Sequence, residues 1–204
     1  MAERSMAERS MAERSAAWKR ETKETVVEVS LDLDGSGVAD VTTGIPFFDH
    51  MLQQLGRHAG FDLVVRAEGD LEIDTHHTIE DVGIVVGTVF GRALGDKVGV
   101  RRFASIEVPL DEALVAVSLD LSGRPYLHYD VDPVSEWIGT FDPQLAEEFW
   151  RAFAIAAAVT LHMRSITGRN GHHVIEASFK AAARCLRDAT RIDGELLPST
   201  KGTL

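Results

Sequence analysis

The first part of the chain alternates apolar and polar residues in short stretches. Every second residue from Val27 to Leu33 is apolar, which is the period-2 pattern of a strand with one buried face. Gly35 and Gly37 favour a turn, and a short second strand is predicted over 38–41. A further extended segment is predicted over 61–73.

Apolar residues recur at helical spacing between and after these strands. Pro46 suits the first position of a helix, and the apolar stripe that follows it ends by Gly60. A longer stripe predicts a second helix from about Thr75 to Leu94, closed by Gly95. The first part of the chain therefore mixes strands with two helices.

The second part of the chain shows the same succession of patterns. Its predicted strands cover residues 105–108, 113–121, 125–131 and 159–166. Asp142-Pro143 suits an N-cap and a first helical position, and a last helix opens at His172. Because strands and helices do not alternate regularly, we expect an α+β fold of mostly antiparallel sheet with helices on one face.

Two short sequences recur in the same order. Residues 29–35, VSLDLDG, return as VSLDLSG at 117–123, and residues 76–80, HHTIE, return as HHVIE at 172–176. We infer two pseudo-equivalent halves, about 21–98 and 103–192, each a four-stranded sheet with two helices on one face. Residues 95–102 would link them.

The composition limits the function classes. Thirty-two acidic and twenty-one basic residues give a net charge of −11, which argues against nucleic acid or an anionic membrane as a partner but permits a small anionic substrate. No apolar stretch reaches the ~18 residues of a membrane span. Cys185 is the single cysteine, so an intrachain disulfide is excluded and a reducing cytoplasm is expected.

The amino-terminal segment carries no chemistry that we can assign. It reads MAERS three times over residues 1–15, is charged, and lacks the apolar core of a secretory signal. We expect residues 1–20 to be disordered and residues 21–204 to form a single domain built from the two repeats and a C-terminal tail.

The repeated HHxxE segments predict metal binding. On a helix, each places two imidazoles and a carboxylate on a single turn, and adjacent histidines diverge by about 100°. A lone histidine pair is more often a surface or structural pair. Two copies at equivalent positions instead favour a two-metal site with His76, His77, Glu80, His172, His173 and Glu176 as ligands.

Further ligands follow from the repeat. His50, on the first helix of its half, is a candidate seventh ligand, and Glu148 occupies the comparable place in the second half. Glu148 is equally well read as a solvated acid on a helix face. Imidazoles and carboxylates without sulfur favour a divalent ion such as manganese, although zinc accepts the same ligands.

Cationic and polar residues suggest a phosphate-bearing substrate, because guanidinium groups bind phosphate well. The C-terminal tail, which contains Ser199 to Lys201, could instead be a frayed terminus, and Arg102 could instead be an ordinary surface residue. The candidate substrate contacts, apart from the histidines and carboxylates already named, are Gln54, His58, Arg102, Arg124, Lys180, Ser199, Thr200 and Lys201.

Several longer motifs match one known family in that family's order. They are Phe48-Asp49-His50-Met51-Leu52, the first HHxxE with Asp81, Leu121-Ser122-Gly123-Arg124-Pro125, Gly171 to Ala177 with Phe179-Lys180-Ala181, and Pro198-Ser199-Thr200-Lys201-Gly202. On these motifs, residues of about 20 to 204 resemble imidazoleglycerol-phosphate dehydratase of histidine biosynthesis.

The resemblance implies a duplicated fold like the second domain of ribosomal protein S5 and a homo-oligomeric shell of twenty-four subunits with sites between subunits. It also implies two manganese ions per subunit. His50, His77, His172 and Glu176 would hold one ion, and His76, Glu80 and His173 would hold the other. Where many members have a histidine in a Glu-His-Phe-Phe segment, this chain has Glu147-Glu148-Phe149-Trp150, so a carboxylate or water would replace that imidazole.

The reaction implied is the loss of water from imidazole glycerol phosphate to give imidazole acetol phosphate. Our hypothesis is that the substrate ring binds metal through both nitrogens, becomes an imidazolate and expels the C3 hydroxyl, which leaves a diazafulvene-like intermediate with an acidified C2 proton. Glu24, His77 and Glu176 are the implied catalytic residues, with Glu24 as the acid/base for the C2 proton. An exposed acid at a strand start is the alternative for Glu24.

Two rival functions use the same ligands. A two-metal hydrolase would act on phosphoesters or amides, and a non-catalytic metal cage would need no phosphate contacts. If this chain, when expressed in a histidine auxotroph, restored growth without histidine, both rival functions would be excluded.

Overall fold

Both predicted repeats fold as a four-stranded sheet with two helices. The computed structural model describes residues 14–132 and 137–204. The first half contains β1 (Ser15–Glu21), β2 (Thr25–Asp32), β3 (Ala39–Thr42), α1 (Pro46–Ala59), β4 (Asp62–Gly69) and α2 (His76–Leu94). The second half contains β5 (Phe103–Leu110), β6 (Ala113–Asp120), β7 (Tyr126–Asp130), α3 (Leu145–Ala156), β8 (Thr160–Thr167) and α4 (Gly171–Thr190).

The two sheets have the same topology. Their strand orders are β1-β2-β4-β3 and β5-β6-β8-β7. In the first sheet β2 pairs antiparallel with β1 and β4, and in the second β6 pairs antiparallel with β5 and β8. The short edge strand, β3 or β7, runs parallel to its neighbour. The predicted α+β class, the two pseudo-equivalent halves and the mostly antiparallel sheets are confirmed.

The helices of one half pack on the helices of the other. α1 packs against α4, and α2 packs against α3, so the helices lie between the two sheets. The α2–α3 contact is close because a Cβ on Gly83 would lie 2.7 Å from the Phe149 carbonyl oxygen, and one on Gly87 2.6 Å from that of Phe153. These glycines allow the two backbones to approach.

Three predicted boundaries were wrong. The extended segment predicted over 61–73 ends with β4 at Gly69, and residues 71–73 form a turn. Residues 15–20 are not a disordered leader, because β1 pairs antiparallel with β2 and places Trp18 opposite Val29. The earlier MAERS residues, 1–13, lie outside the described residues. The first helix of the second half begins at Leu145 rather than Pro143, since the Leu145 and Ala146 amides donate to carbonyls three residues back in a tight turn.

None of the helices in the described ranges combines the length and apolar character that a membrane span needs. The polar segments between them include the loop over 70–75, before α2, and the shorter loop over 168–170, before α4.

Candidate metal centre and active site

The two HHxxE segments open α2 and α4 in the same way. The Asp74 carboxylate accepts a hydrogen bond from the His76 amide at 2.8 Å, and the Asn170 side chain accepts one from the His172 amide at 3.0 Å. Each side chain satisfies one of the free amides at the start of its helix. The histidine pairs are therefore presented on the first turn of each helix.

One group of three ligands comes together within the chain. His50, His172 and Glu176 each offer one ligand atom, and these atoms lie within 4.8 Å of one another. The Nε2 atom of His172 lies 3.0 Å from the Glu176 carboxylate, and that of His50 lies 3.5 Å from it. His50 reaches this group because α1 packs on α4, so the triad joins the two halves.

Glu176 is the buried member of the triad, with 9% of its surface exposed. Burial raises the pKa of its carboxyl group, but the hydrogen bond and charge of Lys180 and the hydrogen bond of His172 lower it further, so the pKa lies below its ordinary value. The Lys180 ammonium lies 2.7 Å from Glu176. The carboxylate is thus held ionised, as a metal ligand must be.

The equivalent residues on α2 form a looser group. His76 and Glu80 lie 3.5 Å apart, and both side chains are about half exposed. Glu148, on the facing helix α3, pairs with Arg151 at 3.6 Å. Among the described residues the only group of three candidate ligands is the His50 triad, so Glu148 does not complete a second one.

The second histidine of each pair is held by a carboxylate through Nδ1. His77 Nδ1 lies 3.0 Å from Asp70, in the loop before α2, and His173 Nδ1 lies 2.8 Å from Glu112. These hydrogen bonds are the main reason that the pKa of each histidine is raised. Because Nδ1 is occupied, Nε2 of each ring is the nitrogen available to a metal, although that of His173 lies 3.9 Å from the exposed Asp111 carboxylate.

Glu24 and Glu112 stand at equivalent places, one residue before β2 and β6. Glu112 bonds His173 and accepts from the Arg169 and Asn170 amides, which lowers the pKa of its carboxyl group to about 2. Glu24 is close enough to His77 to raise that residue's pKa. Within the described part of the chain, however, its exposed carboxylate makes no hydrogen bond or ion pair.

The predicted substrate contacts fall into two groups. Gln54 and His58 lie on α1, where their side chains are hydrogen-bonded at 3.0 Å, and Lys180 lies on α4 beside Glu176. Burial, and the charge of Lys180, lower the pKa of His58. This first group lies on α1 and α4, on the C-terminal side of His50 and Glu176.

The second group lies at the other end of α4. The Arg102 guanidinium bonds both Asp120 oxygens, at 2.7 and 3.1 Å, and the Pro198 carbonyl at 2.6 Å. Arg124 is exposed, and the tail forms turns around Ser199, whose hydroxyl accepts from the Lys201 amide at 3.2 Å. No described contact joins Thr200 or this group to the triad.

Comparisons with known proteins decide the family. The family model described as imidazoleglycerol-phosphate dehydratase matches residues 43–186. The chain belongs to the imidazoleglycerol-phosphate dehydratase family. A member from Acidothermus cellulolyticus is 54% identical over 190 residues, covering 93% of this chain and 92% of the relative. A chloroplastic member from Arabidopsis thaliana is 53% identical over 189 residues, covering 91% of this chain and 70% of the relative.

Solved structures of the family agree. The dehydratase from Staphylococcus aureus has a TM-score of 0.78 and 38% identity, over 86% of this chain and 97% of that one. The dehydratase from Pyrococcus furiosus, in complex with (S)-C348, has a TM-score of 0.79 and 35% identity, over 92% of this chain and all of that one. The resemblance inferred from the motifs is confirmed.

For a dehydratase of this family, the residues present fit a divalent ion. The triad offers two imidazoles and one ionised, largely buried carboxylate with no sulfur ligand, which suits manganese as well as zinc. The chain therefore contains a candidate histidine–carboxylate metal site. The full ligand set, the ion and the count remain predictions.

Sequence reasoning missed the carboxylates behind the histidines. Asp70 and the His173 contact of Glu112 were not foreseen, although Glu112 had one signal, its position 88 residues after Glu24. Asp70 had none, since it lies in a loop that is longer than its counterpart before α4. The Asp120 contact with Arg102 was also not foreseen.

Proposed function

We propose that this chain dehydrates imidazole glycerol phosphate to imidazole acetol phosphate in histidine biosynthesis, at sites built on the two HHxxE helices. The dehydratase activity follows from the family. The observation that carries the site is the triad of His50, His172 and Glu176. Neither half of the chain contains this group by itself.

The proposal includes two divalent ions per subunit, with manganese preferred. One would be held by His50, His172, Glu176 and His77, and the other by His76, Glu80 and His173, with Glu148 as a candidate further ligand. Bound there, the ions would act as Lewis acids on the substrate ring. Asp70 and Glu112 would fix the ring orientations of His77 and His173 by bonding Nδ1.

The sites are proposed to form between subunits of a homo-oligomer, with the twenty-four-subunit shell as the specific expectation. Two features support a second chain at each site. His77 is absent from the three-ligand group of the described residues. The phosphate candidates near Arg102 lie beside Ala189 on α4, about 26 Å along the helix from His172 at ~1.5 Å per residue.

Glu24 is proposed to move the proton at C2 of the substrate. Its counterpart Glu112 accepts from His173 and two amides, whereas the Nδ1 atom of His77 donates to Asp70 instead. In the described part of the chain the Glu24 carboxylate therefore makes no hydrogen bond or ion pair, and it lies close enough to the candidate ligand His77 to raise that residue's pKa, where an acid/base group is needed. His77 and Glu176 would act in the reaction as ligands.

The remaining polar residues are proposed to bind the substrate. Lys180 and Arg124 carry charges that suit a phosphate, and Ser199, Thr200 and Lys201 offer hydroxyls, amides and an ammonium. Arg102 would act while bonded to Asp120, which fixes its position. Gln54 and His58 would contact the substrate from α1. We also propose a cytoplasmic location and no nucleic-acid or membrane partner.

The test is dehydratase activity of the purified chain, with and without added manganese, for wild type, His172→Ala and the control His162→Ala. His162 lies on the outer face of β8, where its ring packs against Tyr126 and His128. Loss of activity and bound metal in His172→Ala alone is expected. Equal losses in both variants, or hydrolysis of phosphoesters without dehydration, would reject the proposal. The matching test in cells is whether expression of the wild-type chain allows a histidine auxotroph to grow without histidine.

A further inference from the structure

A cavity of about 760 Å³ lies at the opposite end of the α1–α4 pair from the triad. Gly60, the C-cap of α1, lines it, and lies ten residues beyond His50, about 15 Å along the helix at ~1.5 Å per residue. Its volume is in the range that holds small-molecule ligands. None of the candidate metal ligands or substrate contacts lines it.

The lining of this cavity is strongly cationic. It contains four arginines, Arg14, Arg57, Arg187 and Arg191, and one acidic residue, Asp34. The chain as a whole carries a net charge of −11. A local excess of three positive charges in an acidic protein is the opposite of what its composition predicts, so it points to an anion.

One wall of the cavity is held rigidly. Arg14 donates to the Asp34 carboxylate at 2.9 Å and to the Thr190 carbonyl, at the end of α4, at 2.6 Å. The hydrogen bond from Arg14 lowers the pKa of Asp34. Asp34 is thereby paired with Arg14, so its negative charge does not neutralise the other three arginines.

Those three arginines have little internal compensation. Within the described ranges Arg57 and Arg187 form no ion pair, and Arg191 has one distant contact, 3.8 Å from Asp193, which Arg101 already binds at 2.6 Å. Cations at helix C-termini offset the helix dipole, and the Arg187 guanidinium does lie over Gly60. That role accounts for Arg57 at the end of α1 and Arg187 at the end of α4, and it leaves Arg191 unexplained.

We propose that this cavity, the arginine pocket, binds a small molecule that carries two phosphate groups. Guanidinium groups donate paired hydrogen bonds to phosphate oxygens, and several around one cavity match a ligand with separated phosphates rather than a single anion. The pocket goes beyond the proposed dehydratase site and would serve to regulate or stabilise the enzyme through α1 and α4, the helices that hold the triad.

The test is calorimetric titration of the manganese-loaded full chain with fructose 1,6-bisphosphate, a bisphosphate probe that binds manganese weakly. The pocket variant is Arg57→Ala with Arg187→Ala. The control, Lys19→Ala with Arg164→Ala, removes the same charge from exposed strand positions. Arg124→Ala reports binding at the proposed substrate phosphate contacts instead.

Wild type should bind the probe, and the pocket variant should lose affinity by about tenfold or more while the control and Arg124→Ala keep it. Absence of binding at millimolar probe, an equal loss in the control, or a loss confined to Arg124→Ala would overturn the proposal. If the alanine variant does not fold, Arg57→Gln with Arg187→Gln replaces it. The measurement does not depend on dehydratase activity, so either proposal can fail alone.

Discussion

The two HHxxE helices are presented alike but supported differently. In both, the amide of the first histidine donates to a side chain two residues earlier, and the second histidine bonds a carboxylate through Nδ1. On α2 that carboxylate is Asp70, from the loop over 70–75, whereas on α4 it is Glu112, from the residue before β6. Among the described residues, the carboxylate of Glu24, the counterpart of Glu112, is thereby left without a hydrogen bond or ion pair.

This difference shows how a duplicated unit can divide two tasks. A longer loop supplies a substitute carboxylate in the first half, so the glutamate at the strand start is released from holding a histidine. In the second half the shorter loop, 168–170, offers no such substitute, and Glu112 also binds that loop's amides. The two halves thus share one scaffold. The glutamate before the second strand holds a histidine in the second half but not in the first half.

The largest effect is expected at the free acid. Glu24→Gln should lower turnover by roughly 10²–10⁴-fold with metal content unchanged, because it removes a proton-transfer group without removing a ligand. Turnover and bound manganese are measured on the same preparation. Near-normal turnover in Glu24→Gln would assign the proton transfer to another residue.

The bonded carboxylates should instead control metal affinity. Glu112→Gln and Asp70→Asn should each weaken manganese binding by about 10–100-fold, since a partner behind a ligating histidine orients its ring. Activity should return at saturating manganese. If Glu112→Gln or Asp70→Asn stayed inactive at saturating manganese, as is expected of Glu24→Gln, the division of tasks would be contradicted.

A stability test compares two glycines of α2 that face the α3 side of the molecule at different distances. Gly83→Ala should lower the free energy of unfolding by about 1–3 kcal/mol, because its Cβ would meet the Phe149 carbonyl oxygen at 2.7 Å. Gly91→Ala, on the same helix, is the control. Its Cβ would lie 3.7 Å from Ala157 atoms, and alanine is the better helix former, so stability should hold or rise. Denaturant unfolding of metal-free protein measures both, and equal effects would contradict the close approach.

The smallest effect is a shift with pH. The pKa values of His77 and His173 are raised above 6.5, so protons should compete with manganese as the pH falls through the raised values. Asp70→Asn removes the main cause for His77 and should move this loss of affinity to lower pH. In metal-free protein the same pairs stabilise the fold below pH 6.5 and lose that contribution as the pH rises through the raised pKa. Manganese titrations across this range measure the shift, and an unchanged midpoint would show that Asp70 does not control it.

The sequence predicts most of the fold because its patterns are local. The alternation from Val27 to Leu33 and the stripes after Pro46 and Thr75 indicate elements without reference to distant residues. β1 escaped prediction because it is an edge strand beside a polar repeat, and its order comes from distant contacts, Trp18 against Arg92 and Arg20 with Asp81. The late start of α3 likewise depends on a turn that favours i to i+3 bonds.

The site was predictable in its ligand types but not in its pairing. HHxxE spacing predicts which helical turns carry the candidate ligands, and it places His172 beside Glu176. The addition of His50 depends on which helices meet across the halves, and the role of Asp70 depends on loop length. The resemblance groups His50 with His172 and Glu176, but residue spacing alone gives neither contact, because both are consequences of tertiary packing.

The interleaving of the four helices has a consequence for how such a chain arose. His50 comes from one repeat and His172 from the other, so an ancestral single repeat could assemble this trio of side chains only by associating with an identical copy. Joining the copies into one polypeptide made that encounter intramolecular and independent of concentration.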